Sequence, residues 1–161
     1  MAIRIMVIND DQDILDLYSA LLCDDGYDVT TSKLAFEHPA AVELLHPDLI
    51  ILDLKFGTQF EGWKMMQKLR LYRPTSGLPI LICTAAVREA REQEDHLRSE
   101  GIGIVYKPFS IDHLLLAVRQ MLAMVEAGNA RESAEPAQLV ASMSQPKAPP
   151  QTKRSPSATN D

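Results

Sequence analysis

Five short apolar runs recur along the chain, at residues 3–8, 27–30, 49–53, 79–83 and 102–106. Most are continuous rather than alternating, which is the pattern of parallel strands covered on both faces. Helical spacing fills the intervals. Ile14, Leu17, Tyr18 and Leu21 repeat at i, i+3, i+4, i+7, and Gly26 follows as a stop. Val42 and Leu45 share a face of a shorter helix, with Pro39 suited to its first turn. Trp63, Met66 and Leu69 mark a third helix, ended before Pro74. Residues 86–99 form a polar fourth, ended by Gly101. Ile111, Leu114, Leu115, Val118, Leu122 and Val125 mark a fifth, with Ser110 as its N-cap.

Strand and helix in strict alternation predict a parallel α/β sheet with right-handed crossovers. Five such units within residues 1–125 fit a doubly wound domain. Ligands in these folds bind beyond the carboxyl ends of the strands, where strand order reverses. After Val125 the composition changes: residues 126–161 hold Pro136, Pro146, Pro149, Pro150 and Pro156, many Ser and Ala, and no aromatic residue. That segment reads as a disordered tail, with too little apolar surface to offset chain entropy. Its one apolar stretch, residues 139–143, reads as a chance patch in a linker, with a docking segment as the alternative.

Charge narrows the function. The 16 basic and 22 acidic residues give a net charge of −6; four of each sign fall in residues 126–161, so residues 1–125 hold all of it. This argues against a broad nucleic-acid surface. Cys23 and Cys83 lie in apolar sequence without CxxC spacing and read as small core residues in a reducing compartment. His38, His46, His96 and His113 form no metal-spaced cluster and read as surface residues. The first strand begins directly after Met1-Ala2, and no apolar run is long enough for a bilayer. The expectation is a cytoplasmic protein with no membrane partner.

Three strands end in charge. The first runs into Asn9-Asp10-Asp11, the third into Asp53 and the fifth into Lys107-Pro108. Acid, acid and lysine at one sheet edge point to a small phosphoryl-transfer and metal site. Asp11 and Asp13 are placed to cap the first helix or to favour its positive end. Trp63 is expected to pack on the sheet.

Residues 1–125 resemble the receiver domain of two-component response regulators, through VINDDQDIL at 7–15, DLIILDL at 48–54, LICTAA at 81–86 and VYKPF at 105–109. The resemblance implies a flavodoxin-like five-stranded parallel sheet of order 2-1-3-4-5 with five helices. It implies that Asp53 accepts a phosphoryl group from a histidine kinase or phosphotransfer protein. It implies Mg²⁺ held by Asp10, by Asp53 and by the backbone carbonyl of Lys55, with oxygen ligands and retained waters. It gives Thr84 the hydroxyl that bonds the phosphoryl oxygen. It gives Lys107 the ammonium that pairs with the phosphoryl group, next to a Lys-Pro bond that is usually cis in this family.

Three departures stand out. Asn9 replaces the first of two acids and would hold a metal-bound water through its carbonyl oxygen. The loop after Asp53 is longer than usual, and the helix-starting glycine, Gly62, comes one residue late. Ile104 stands where many members carry a switch aromatic, and Tyr106, two residues on, points to the same side.

The expected function is a stand-alone receiver, not an enzyme, signalling through a downstream protein effector without direct nucleic-acid contact, as a monomer or weak homodimer. The alternative is a constitutive, phosphorylation-independent interaction module. A hydrolase with an aspartyl-phosphate intermediate is disfavoured, because Lys55 stands where its second acid would be needed. A nucleotide-binding loop is absent, since Gly101-Ile102-Gly103 precedes a strand.

Overall fold

The computed structural model describes residues 2–33, 36–55 and 60–143, with side chains as far as Gly128. Met1–Ala127 forms one compact unit. Its elements run β1 (Arg4–Ile8), α1 (Gln12–Asp24), β2 (Asp28–Ser32), α2 (Ala40–Leu45), β3 (Leu49–Leu52), α3 (Glu61–Leu71), a 3₁₀ turn (Arg73–Thr75), β4 (Ile80–Thr84), α4 (Val87–Glu92), α5 (Glu94–Ser99), β5 (Ile102–Tyr106) and α6 (Ile111–Met143). The five strands form one sheet of order β2-β1-β3-β4-β5, with every pairing parallel. The chain thus takes the doubly wound, flavodoxin-like topology.

Strand alternation builds two cores. Ile5, Val7, Ile51, Leu81, Cys83 and Val105 face α1 and α6, against Leu15, Tyr18, Leu22, Leu114 and Val118. Met6, Ile8, Ile50, Leu52, Ile80, Ile82 and Ile104 face α2 to α5, against Val42, Met65, Met66, Leu69 and Leu97. The edge strand β2 is polar (Asp-Val-Thr-Thr-Ser) and largely exposed, so it extends two residues past the end expected at Thr30. The helix ends follow local chemistry. Asp11 caps α1 by accepting the Asp13 amide at 2.9 Å, and Ser110 caps α6 through the His113 amide at 3.1 Å. Gly26, at φ 94°, turns the chain out of α1.

Several expectations are corrected. The buried face of α1 is Leu15, Tyr18 and Leu22, so Leu17 is exposed and the face is rotated from the one the spacing suggested. Cys23, one residue past Leu22 on that helix, is exposed and not a core residue; Cys83 is buried. Leu45 does not share the burial of Val42. The single helix expected over 86–99 is two short ones, divided at Gln93, whose amide turns back to the Ala90 carbonyl. Trp63 packs against the core as expected. The four histidines are exposed.

The last helix continues past Val125 to Met143. Residues 126–135 are mostly Ala, Glu and Arg, good helix formers that a reading weighted toward Pro and Ser passes over. The stretch 139–143 falls in its final turns. Residues 144–161 lie outside the described residues, as do Phe56, Gly57, Thr58 and Gln59 of the loop singled out after Asp53.

Candidate functional site

The sheet order reverses between β1 and β3, and both strands run the same way. Ile8 pairs with Leu52 at their ends, and the Asp53 amide reaches the Ile8 carbonyl at 3.5 Å. Asn9 and Asp53 therefore leave the sheet side by side, with Asp10 one residue further on. From the next strand pair, the Lys107 amide donates to the Thr84 carbonyl at 2.9 Å. Parallel register thus brings acids and lysine to one edge from segments far apart in sequence.

Asp53 is the centre of this edge. The Lys107 Nζ donates to its Oδ2 at 3.1 Å, with the lysine side chain 25% and the aspartate 13% exposed. The Lys55 amide donates to its Oδ1 at 3.1 Å. Each carboxylate oxygen thus has a donor, and the group is half-buried but open to a cleft. That cleft is lined by Asp53, Lys55, Phe60, Ala85, Ala86 and Glu89. The Lys107–Pro108 bond is cis.

The other expected residues are placed as follows. Asp10 is exposed at the head of α1. Asn9 is buried, and its Oδ1 accepts the Asp11 amide at 2.9 Å, so that side chain helps to shape the turn into α1. Thr84 is fully buried and its Oγ1 accepts the Ala86 amide at 3.0 Å. Ile104 lies in the core, 9% exposed. Tyr106 packs on the same core from the strand end, and its hydroxyl donates to Glu94 Oε2 at 3.0 Å. Arg91 lies over its ring, 5.4 Å from the centroid. Arg98 also holds Glu94, at 2.8 Å. These partners, Arg98 first, keep the Glu94 carboxyl below its ordinary range.

Two features escaped the sequence reading. Gly62 in the first turn of α3 lies against the backbone of Asp53; a Cβ built there would overlap the Asp53 carbonyl oxygen. The late glycine was the signal. The second is Glu89, which lines the cleft with Lys55; its place on the polar fourth helix gave no sign of that.

Residues 5–119 match the model of the response regulator receiver domain. The chain belongs to that family. It carries the receiver domain of two-component response regulators. It is 34% identical over 119 residues to the DNA-binding dual master transcriptional regulator RpaA of Synechocystis sp., covering 74% of this chain and 48% of RpaA. It is 31% identical over 121 residues to the probable transcriptional regulatory protein TcrX of Mycobacterium tuberculosis, covering 74% and 50%. The chain thus spans about half the length of these relatives. Among solved structures, a CheY-like receiver domain protein from Methanospirillum hungatei matches at 25% identity and TM-score 0.68, over 80% of this chain and 99% of that one. The chemotaxis protein CheY4 of Vibrio cholerae matches in fold at 24% identity and TM-score 0.64, over 75% and 99%. Among the described residues, no helix is long and apolar enough to cross a membrane.

Proposed function

We propose that Asp53 accepts a phosphoryl group from a phosphohistidine on a histidine kinase or phosphotransfer protein. The observation that carries this is the half-buried Asp53 carboxylate, held by the Lys107 ammonium at 3.1 Å and facing an open cleft. An Asp53 oxygen attacks phosphorus, the N–P bond of the donor breaks, and the imidazole leaves with a proton. Lys107 balances the charge that builds on the transferring oxygens. Thr84, at the strand end beside it, offers a hydroxyl hydrogen while its oxygen keeps the Ala86 amide.

The donor set fits a hard cation. Asp10, Asp53 and the Lys55 carbonyl supply oxygen only. Among the described residues, no cluster of three or more His, Cys, Asp or Glu could hold a metal alone. That combination suits Mg²⁺, which keeps several waters and needs one or two carboxylates. When bound, the ion supplies positive charge that lets two anionic groups meet. Asn9 adds a neutral oxygen rather than a charge, so affinity for Mg²⁺ is lower than a two-acid site would give.

The modified state is proposed to shift a pre-existing equilibrium of the nearby surface and so to select a protein partner. Tyr106, tied to α5 through Glu94, is the aromatic placed to report it, since Ile104 is locked in the core. The fixed, locally bonded Asn9 favours a second reading, a phosphorylation-independent binding module. Magnesium dependence separates them. Phosphoryl uptake from a small acyl phosphate should require Mg²⁺ and shift to higher Mg²⁺ in Asp10→Asn. Uptake equal in a chelator and in Mg²⁺ would contradict the metal assignment.

A further inference from the structure

A phosphoryl group on Asp53 would lie in the cleft that the carboxylate faces. Displacement at phosphorus runs in line, so a water that expels the aspartate enters opposite the Asp53 oxygen, from the cleft. The lining of the cleft therefore decides whether that water is activated. The cleft measures about 330 Å³ and is lined by Asp53, Lys55, Phe60, Ala85, Ala86 and Glu89. That is room for the phosphoryl group and for more than one water beyond it.

Most of this lining cannot take a proton. Phe60, Ala85 and Ala86 have no polar side-chain atom, the Lys55 ammonium is a donor only, and Asp53 is the group that leaves. Among the described residues that line the cleft, Glu89 alone carries a side chain able to accept one. That carboxylate is exposed and uncommitted. Arg88, beside it in the chain, turns to Glu92 at 3.3 Å, and Arg98 holds Glu94 at 2.8 Å; among the described residues Glu89 enters no ion pair. The backbone beneath it is tied to the acceptor edge. Thr84 Oγ1 accepts the Ala86 amide at 3.0 Å, and the Ala86 carbonyl accepts the amide of Ala90, the residue after Glu89, at 3.1 Å. Ala90 is itself fully buried. The acid that is missing at Lys55, two residues after the acceptor, is thus present in the cleft from another segment, α4.

We propose that Glu89 is the general base for hydrolysis of phosphorylated Asp53, so that the chain limits the lifetime of its own modified state. Water oxygen attacks phosphorus, and the bond between phosphorus and the Asp53 oxygen breaks with its electron pair going to the carboxylate. The water proton passes to Glu89 and then to solvent, and orthophosphate leaves through the cleft. No oxidant or second substrate is needed beyond water. The inference rests on Asp53 being the acceptor, as proposed above.

The test loads the full chain from a small acyl phosphate with Mg²⁺, removes the donor by rapid desalting, and follows loss of the phosphoryl group by intact mass. The parent is compared with Glu89→Gln, Glu89→Ala and Glu92→Gln, the last a control for lost charge on the same helix. Glu89→Gln and Glu89→Ala should each keep the phosphoryl group about tenfold longer, the modest end of what a base supplies, since this one is exposed. Glu92→Gln should lose it at the parental rate. Formate, added as a small carboxylate, should restore loss in Glu89→Ala, where the side chain has left space, and not in Glu89→Gln, where the place is filled. A parental rate of loss in Glu89→Gln, equal slowing in Glu92→Gln, or slowed loss in Glu89→Ala that formate does not restore would each overturn the proposal. Equal acceleration of both Glu89 variants by formate is catalysis by the buffer and overturns it too. The loading step keeps the two readings apart: a parent that takes up no phosphoryl group sinks the acceptor reading and this proposal with it, whereas normal loading with unaltered loss sinks the role of Glu89 alone.

Discussion

Replacing Gly62 by alanine tests how tightly α3 is built onto the acceptor. On an open helix, Gly→Ala stabilises by about 1 kcal/mol. Here the added Cβ would overlap the Asp53 carbonyl oxygen and come within 2.9 Å of the Asp53 carbonyl carbon and 3.0 Å of the Leu54 Cα. All three are backbone atoms, and Asp53 is tied on its other side to Ile8 and Lys107. Overpacking of this kind costs about 1–3 kcal/mol, and a clash with backbone lies at the upper end. Set against the gain in helix propensity, the net loss is about 2 kcal/mol. For a domain of this size that lowers the melting midpoint by roughly 6–10 °C. Equilibrium urea denaturation followed by the fluorescence of half-buried Trp63 would measure it. Gly77→Ala is the control, since nothing lies within 4 Å of a Cβ there, and it should stay within about 0.5 kcal/mol of the parent. A Gly62→Ala protein as stable as the parent, or more so, would refute the close approach.

Two further outcomes follow from the surroundings of Glu94 and the cysteines. Because Arg98 and then Tyr106 hold the Glu94 carboxyl below its ordinary range, its contribution to stability is present above the unfolded value of about 4.3 and is lost as pH falls through the lower folded value. The difference in urea midpoint between the parent and Glu94→Gln should therefore be constant near neutrality and shrink on acidification below about pH 4; a difference that grows there contradicts the contact. A thiol reagent at mildly alkaline pH should add to exposed Cys23 alone in the native protein, and to buried Cys83 only in denaturant; rapid double labelling of native protein, read by mass, contradicts the burial of Cys83.

Much of the fold was legible because parallel strands buried on both faces leave unbroken apolar runs, such as Leu49-Ile50-Ile51-Leu52. Legibility fell where burial did. The edge strand β2 is polar, so its end at Ser32 carried no apolar signal. On α1, two apolar faces competed in the sequence: Ile14 and Leu17 extend the pattern one way, whereas packing selects Leu15, Tyr18 and Leu22. That rotation is also why Cys23, an apparent core residue, is exposed. The break at Gln93 follows from a turn to Ala90 that no residue preference announces.

The site was more legible than its supports. Asp53 and Lys107 were readable as charges at strand ends; β4 lies between their strands, and the length of the lysine side chain carries its ammonium to the carboxylate. Asn9 was readable as a departure, but its bond to the Asp11 amide depends on the turn into α1. The expectation that Tyr106 points to the same side as Ile104 held, since both pack on one core; its anchoring by Glu94 depends on where α5 begins. The approach of Gly62 to Asp53 joins residues that only the assembled fold brings together.

The central claim is that Asp53 is a working acceptor. The most direct measurement is intact mass of the full chain after incubation with Mg²⁺ and a small acyl phosphate, beside an Asp53→Ala control. The account predicts gain of one phosphoryl group by the parent and none by Asp53→Ala. Equal gain by both, or none by the parent in excess Mg²⁺ and with a phosphohistidine donor, would contradict it.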